Sequence, residues 1–163
     1  MELPTLDSVA QTWVLDGQGW LQIGQLLFAF VMSSIIGLER EWKDKEAGLR
    51  IYSTVGTGAA LLTLISKYGF TDAIAQQGST DPARVAAQVV TGVGFLGAGL
   101  ILTRGGGVSG LTTAATMWLV AAVGMAAGAG LWLLALAVVM LHVASSLGYD
   151  ALSQRINPDS SDL

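Results

Sequence analysis

The chain has 163 residues, 52% of them hydrophobic and only 12% charged, with a net charge of −4 and a mean hydropathy of +0.59. A soluble globular domain carries about 25% charged residues, so this balance points to a chain dissolved in lipid. There is no cysteine and a single histidine, His142. That excludes disulfides, thiol catalysis, thiolate metal sites and a His-cluster zinc centre, and the lack of a basic stripe or tail argues against nucleic acid as a partner.

Residues 1–19 contain Glu2, Asp7 and Asp16 but no Lys or Arg, whereas a secretory signal starts positive. Val9, Trp13 and Val14 instead suit a short interfacial helix over residues 5–16. A spanning helix needs ~20 mostly apolar residues. The first candidate runs from Trp20 to Leu38 and is stopped by Glu39-Arg40-Glu41. The second runs from Ile51 to Ser66, between Arg50 and Lys67, whose side chains can snorkel to the interfaces. The third spans Val85 to Leu102 and ends before Arg104. From Gly105 to Tyr149 no charged residue appears. One helix of that length would rise ~68 Å, twice a bilayer core, so the segment must turn once. Gly128-Ala129-Gly130 is the best break, giving spans at Leu111–Ala127 and Leu131–Leu147. Gly105-Gly106-Gly107 reads as a flexible loop, and residues 150–163 as a short cytoplasmic tail. The fold class is therefore all-α: a polytopic membrane bundle of about five transmembrane helices over residues 20–149.

Orientation follows from the basic residues. With the N-terminus outside, Arg40, Lys43, Lys45, Arg50, Arg104 and Arg155 lie in the cytoplasm and only Lys67 and Arg84 outside. The positive-inside rule thus favours N-out, C-in.

The polar residues gather at a few places. Glu39, Arg40 and Arg50 sit at the cytoplasmic boundary, where an ion pair is weakly screened, and an Arg50–Glu39 bridge would fix the first hairpin. Lys43, Asp44, Lys45 and Glu46 read as a solvated loop. Asp81-Pro82 is a helix start, and Asp81, Arg84 and Gln88 form a stripe at helical spacing that serves equally as cap and packing or as a functional polar site. Gly92, Gly94, Gly97 and Gly99 continue that helix. The G-x-G-x-x-G match within them lacks the preceding strand that a dinucleotide site requires, so close packing on two opposite faces, with the third helix central, is the better reading. Thr112 and Thr113 open the fourth helix, and backbone or interhelical bonding accounts for the threonines there. Gly124 and Gly128 make a G-x-x-x-G contact that suits either intrachain packing or dimerisation. His142 lies mid-span with no acidic residue in any span to partner it. No nucleophile–base pair and no metal cluster stand out, so the chain is not read as an enzyme, no cofactor is expected, and whether it holds a metal stays open.

Taken together, Gly37-Leu38-Glu39-Arg40, Ala47-Gly48-Leu49-Arg50, Asp81-Pro82-Ala83-Arg84 through Val90, Gly92 through Gly99 and Gly110 through Ala115 resemble the MgtC/SapB family of bacterial membrane proteins, over Gly37 to about Gly130. The resemblance implies a five-span bacterial inner-membrane protein with a cytoplasmic C-terminus. It also implies a link to magnesium homeostasis and, in pathogens, to virulence through growth in low magnesium and survival in macrophages. In this family the role is similar to that of a regulator, associated with restraint of the F-type ATP synthase. Many members add a cytoplasmic C-terminal domain, for which residues 150–163 are too few. Two functions remain in competition. One is a regulator working through helix contacts in the bilayer, with another membrane protein or as a homo-oligomer. The other is a small oligomeric transporter or channel for magnesium, another cation or protons, using the Asp81–Arg84–Gln88 stripe.

Overall fold

The computed structural model describes residues 19–69, 81, 83–104 and 107–156; the expected interfacial helix over residues 5–16 lies outside them. Five helices are long and apolar enough to cross a membrane: α1 Trp20–Trp42, α2 Leu49–Tyr68, α3 Ala83–Leu100, α4 Leu111–Ala129 and α5 Trp132–Ile156, the last through its segment Trp132–Tyr149. The charged ends Glu39-Arg40-Glu41 do not stop α1, which runs one turn further and buries two of those charges.

α1 is bracketed by tryptophans. Trp20 and Trp42 are 87% and 84% exposed, and 22 residues of helix set them ~33 Å apart, the thickness of a bilayer core. Indole rings favour the two interfaces, so this pair positions α1 across the membrane. The helix begins with Gln22 accepting from the Gly19 N–H at 3.0 Å. It ends in a Schellman turn, with Lys45 N–H on the Arg40 carbonyl and Asp44 N–H on the Glu41 carbonyl, both 3.1 Å. Asp44 takes the left-handed position at φ 50°, which Asp tolerates better than most residues.

α4 is the centre of the bundle. Half of its apolar stretch is buried, against 17% for α3 and α5. It packs on α2 through glycine: a Cβ on Gly124 would lie 2.1 Å from the Gly56 carbonyl oxygen, and one on Gly128 2.5 Å from that of Ala60. Hence the Gly124–Gly128 motif serves contact within the chain. Gly130, at φ 86°, makes the turn expected between the last two spans.

The third helix is not central. Among its described residues α3 fully buries Val89, Val93 and Gly97, four residues apart on one narrow face, and Leu100 also packs on the core. Glycine periodicity reveals that a helix can be approached closely, but not by what. Between α3 and α4, where a longer helix and a flexible loop were expected, Leu102–Arg104 (β1) and Gly107–Ser109 (β2) pair antiparallel. α5 continues to Ile156, into the segment read as a tail.

Candidate functional site

The last turn of α1 places Glu39 and Arg40 inside the bundle, at 7% and 4% exposure. Arg40 clamps its own neighbour, with Nε on Glu39 Oε2 at 2.5 Å and Nη2 on Oε1 at 2.9 Å. Lys43, one turn on, reaches Oε1 at 2.9 Å. From α5, the Ser146 hydroxyl donates to the same Oε1 at 2.6 Å. It accepts from Arg40 Nη2 at 2.9 Å and from Lys43 Nζ at 2.6 Å. A hydroxyl has one donor and two acceptor positions, and Ser146 uses all three. His142, one turn earlier on α5, brings Nε2 to 3.6 Å from Glu39 Oε2. That is beyond hydrogen-bond range, and among the described residues the buried His142 Nε2 finds no hydrogen-bond partner.

A second polar junction lies beside it. Glu46, in the loop before α2, accepts the Thr113 hydroxyl at the start of α4, and Tyr52 of α2 donates to the Thr113 carbonyl at 3.1 Å. The Thr113 bond holds the Glu46 carboxyl below its ordinary value. Thr116 bonds back to the Thr112 carbonyl at 2.9 Å, as its helical spacing suggests.

Between the two junctions opens a cavity of about 1000 Å³, rimmed by Arg40, Lys43, Lys45 and Glu46 and walled by Ala115, Trp118 and Leu119 of α4 and His142 and Ser146 of α5. It sits at the end of the bundle that the charge distribution assigns to the cytoplasm. Among the described residues no three His, Asp or Glu side chains come together as metal ligands.

The MgtC family profile matches residues 26–155, which hold both junctions and all five helices save their outermost turns. The chain belongs to the MgtC family. A protein from Escherichia coli K12 named as a putative magnesium transporter, YhiD, is 49% identical over 109 residues, covering 66% of this chain and 51% of that one. Protein MgtC of Salmonella typhimurium is 41% identical over 132 residues, covering 81% and 54%. An uncharacterized Synechocystis protein is 40% identical over 133 residues, covering 82% and 54%. The chain thus spans about half the length of the curated relatives it matches. No solved structure matches it.

Within this MgtC-family fold, the candidate residues separate into three groups. Glu39, Arg40, Thr112 and Thr113 meet around the cavity. Arg50 does not: it is exposed, and Glu39 pairs with Arg40 and Lys43 in its place, because the start of α2 turns Arg50 outward. Asp81, Arg84 and Gln88 form a separate, exposed stripe on α3, where Asp81 Oδ1 accepts from Ala83 N–H at 2.9 Å as a helix cap. Of the glycines that follow, Gly97 lies against Ala114, while Gly92, Gly94 and Gly99 have no described residue within 4 Å of an added Cβ.

The sequence reading missed Lys43, Glu46, Ser146 and the Glu39 neighbour of His142. Lys43 and Glu46 are not a freely solvated loop, since each is tied to another helix. Two signals pointed there: Glu39 and Lys43 at a spacing of four, and His142 and Ser146 at the same spacing on α5.

Proposed function

We propose that this MgtC-family protein is a regulator of membrane energetics or magnesium-stress adaptation in the bacterial inner membrane, with no catalytic chemistry of its own, acting by holding another membrane protein against α3. The single observation that carries this reading is the open face of α3. Asp81, Arg84, Gln88 and Thr91 are exposed, and Gly92 and Gly99 continue that side of the helix with no described residue within 4 Å of an added Cβ. In hydrocarbon the Arg84 and Gln88 side chains are costly to leave facing lipid. A second helix laid along the face covers them, because small residues let backbones approach closely. By family resemblance, the F-type ATP synthase is the first partner to test.

The competing reading is cation transport, favoured by the name of the Escherichia coli relative and by a carboxylate inside the bundle. Against it, Glu39 is already held by Arg40 and Lys43, so the cluster is net positive and repels a divalent cation.

The test is a photo-crosslinking amino acid at Gly92 in intact cells, with a probe at Leu133, exposed on α5, as control. Capture of a heterologous membrane protein at Gly92 alone supports the proposal. Capture of only a second copy replaces the partner by self-association, and magnesium flux through the purified protein in liposomes would overturn the regulatory reading.

A further inference from the structure

We infer that the cavity between α4 and α5 is a binding site for one anionic phospholipid, its phosphodiester at the Lys43–Lys45 rim and an acyl chain along Ala115, Trp118 and Leu119.

Charge is the first argument. The rim and the groups paired with it hold three cations, Arg40, Lys43 and Lys45, against two carboxylates, Glu39 and Glu46. Arg40 is neutralised by Glu39, so the one positive charge left over lies with the lysines of the rim, where Lys45 is exposed. Excess charge at the edge of a bilayer draws an anion, and basic pockets between transmembrane helices on the cytoplasmic side suit anionic lipid headgroups.

Shape and polarity supply the second. Leu111 to Leu119 advance ~12 Å along α4, close to half a hydrocarbon core. Over that depth the α4 side of the cavity leads from the polar rim at Lys43, Lys45 and Glu46 to apolar Ala115, Trp118 and Leu119, while α5 faces it with His142, Ser145 and Ser146. Trp118 is 51% exposed, which leaves its ring face for an alkyl chain. A free phosphate ion would satisfy the rim but leave this apolar wall bare; a neutral lipid would cover the wall and leave the charge. A molecule with an anionic head and an alkyl tail meets both demands.

The experiment is native mass spectrometry of the full chain released from nanodiscs containing phosphatidylglycerol and phosphatidylcholine in equal amounts, repeated with inorganic phosphate added. The expected result is one phosphatidylglycerol retained per chain in clear preference to phosphatidylcholine. Each Lys lost near a charged surface weakens such binding roughly fivefold, so Lys43→Gln with Lys45→Gln should weaken it on the order of 30-fold. Lys45→Gln alone, at an exposed position outside the Glu39 cluster, keeps the test valid if the double variant does not fold. Ala115→Phe leaves every charge in place and fills the path of the tail, so it should also release the lipid. Equal retention of the two lipids overturns the inference. So does displacement by inorganic phosphate together with indifference to Ala115→Phe, which would make the cavity an anion site alone.

Discussion

Ser146 on α5 donates its hydroxyl proton to Glu39 on α1 at 2.6 Å, across 107 positions of sequence, while the same oxygen accepts from Arg40 and Lys43. One hydroxyl thereby ties the first and last helices together around a buried ion pair. Glu39 and Arg40 are buried, so a missing member is poorly replaced by solvent and the cluster behaves as a unit.

Removing its members should give graded losses. Ser146→Ala strands one bonding position on each of three neighbours and should cost about 1–3 kcal/mol. Glu39→Ala leaves buried cations uncompensated and should cost about 3–5 kcal/mol. Thermal denaturation in detergent checks both, and equal melting of Glu39→Ala and Ser146→Ala would show that the ion pair is not the anchor.

Glycines of the two classes should respond with opposite signs. Gly124→Ala places a Cβ 2.1 Å from the Gly56 carbonyl, and relieving that clash should cost about 1–3 kcal/mol. Gly94→Ala meets nothing within 4 Å and should gain about 0.5–1 kcal/mol from helix propensity. If α3 docks a partner along its polar stripe, Gly92→Ala, equally without a described neighbour, should nonetheless reduce crosslinking on that face. Melting curves for the two variants, paired with crosslinking yield, separate folding from contact.

The Glu46 junction should be acid-sensitive. The Thr113 hydroxyl lowers this carboxyl from its ordinary value of 4.5. A carboxyl whose folded-state pKa is depressed contributes its stabilisation above the unfolded value and loses it as pH falls through the folded one. The melting difference between the parent chain and Glu46→Gln should therefore be present at neutral pH, persist to about 4.5 and close only below it. A difference that is flat through that range would place the stabilisation elsewhere.

Orientation can be read with introduced thiols, since the chain has no cysteine. Asp44, in the turn between α1 and α2, and Lys67, in the last turn of α2, are both exposed. In intact cells a membrane-impermeant thiol reagent should label Lys67→Cys and not Asp44→Cys, and the reverse pattern would invert the N-out, C-in arrangement.

The two kinds of information divide along a physical line. Hydrophobic run length, the charge gaps between runs and the glycine break at Gly130 were enough to place five spans and their order, because a bilayer demands ~20 apolar residues per crossing whatever the helices pack against. The helix start at Asp81 was equally legible, since a cap is local chemistry. The rotation of each helix was not. Glu39 inward and Arg50 outward, Gly124 against Gly56 and Gly94 against no described residue all depend on which faces meet, which run length and composition leave unspecified. Only the packed bundle decides this. There Ser146 and His142 arrive beside Glu39 from the far end of the chain, and Lys43 and Glu46 pass from a solvated loop to the rim of a cavity.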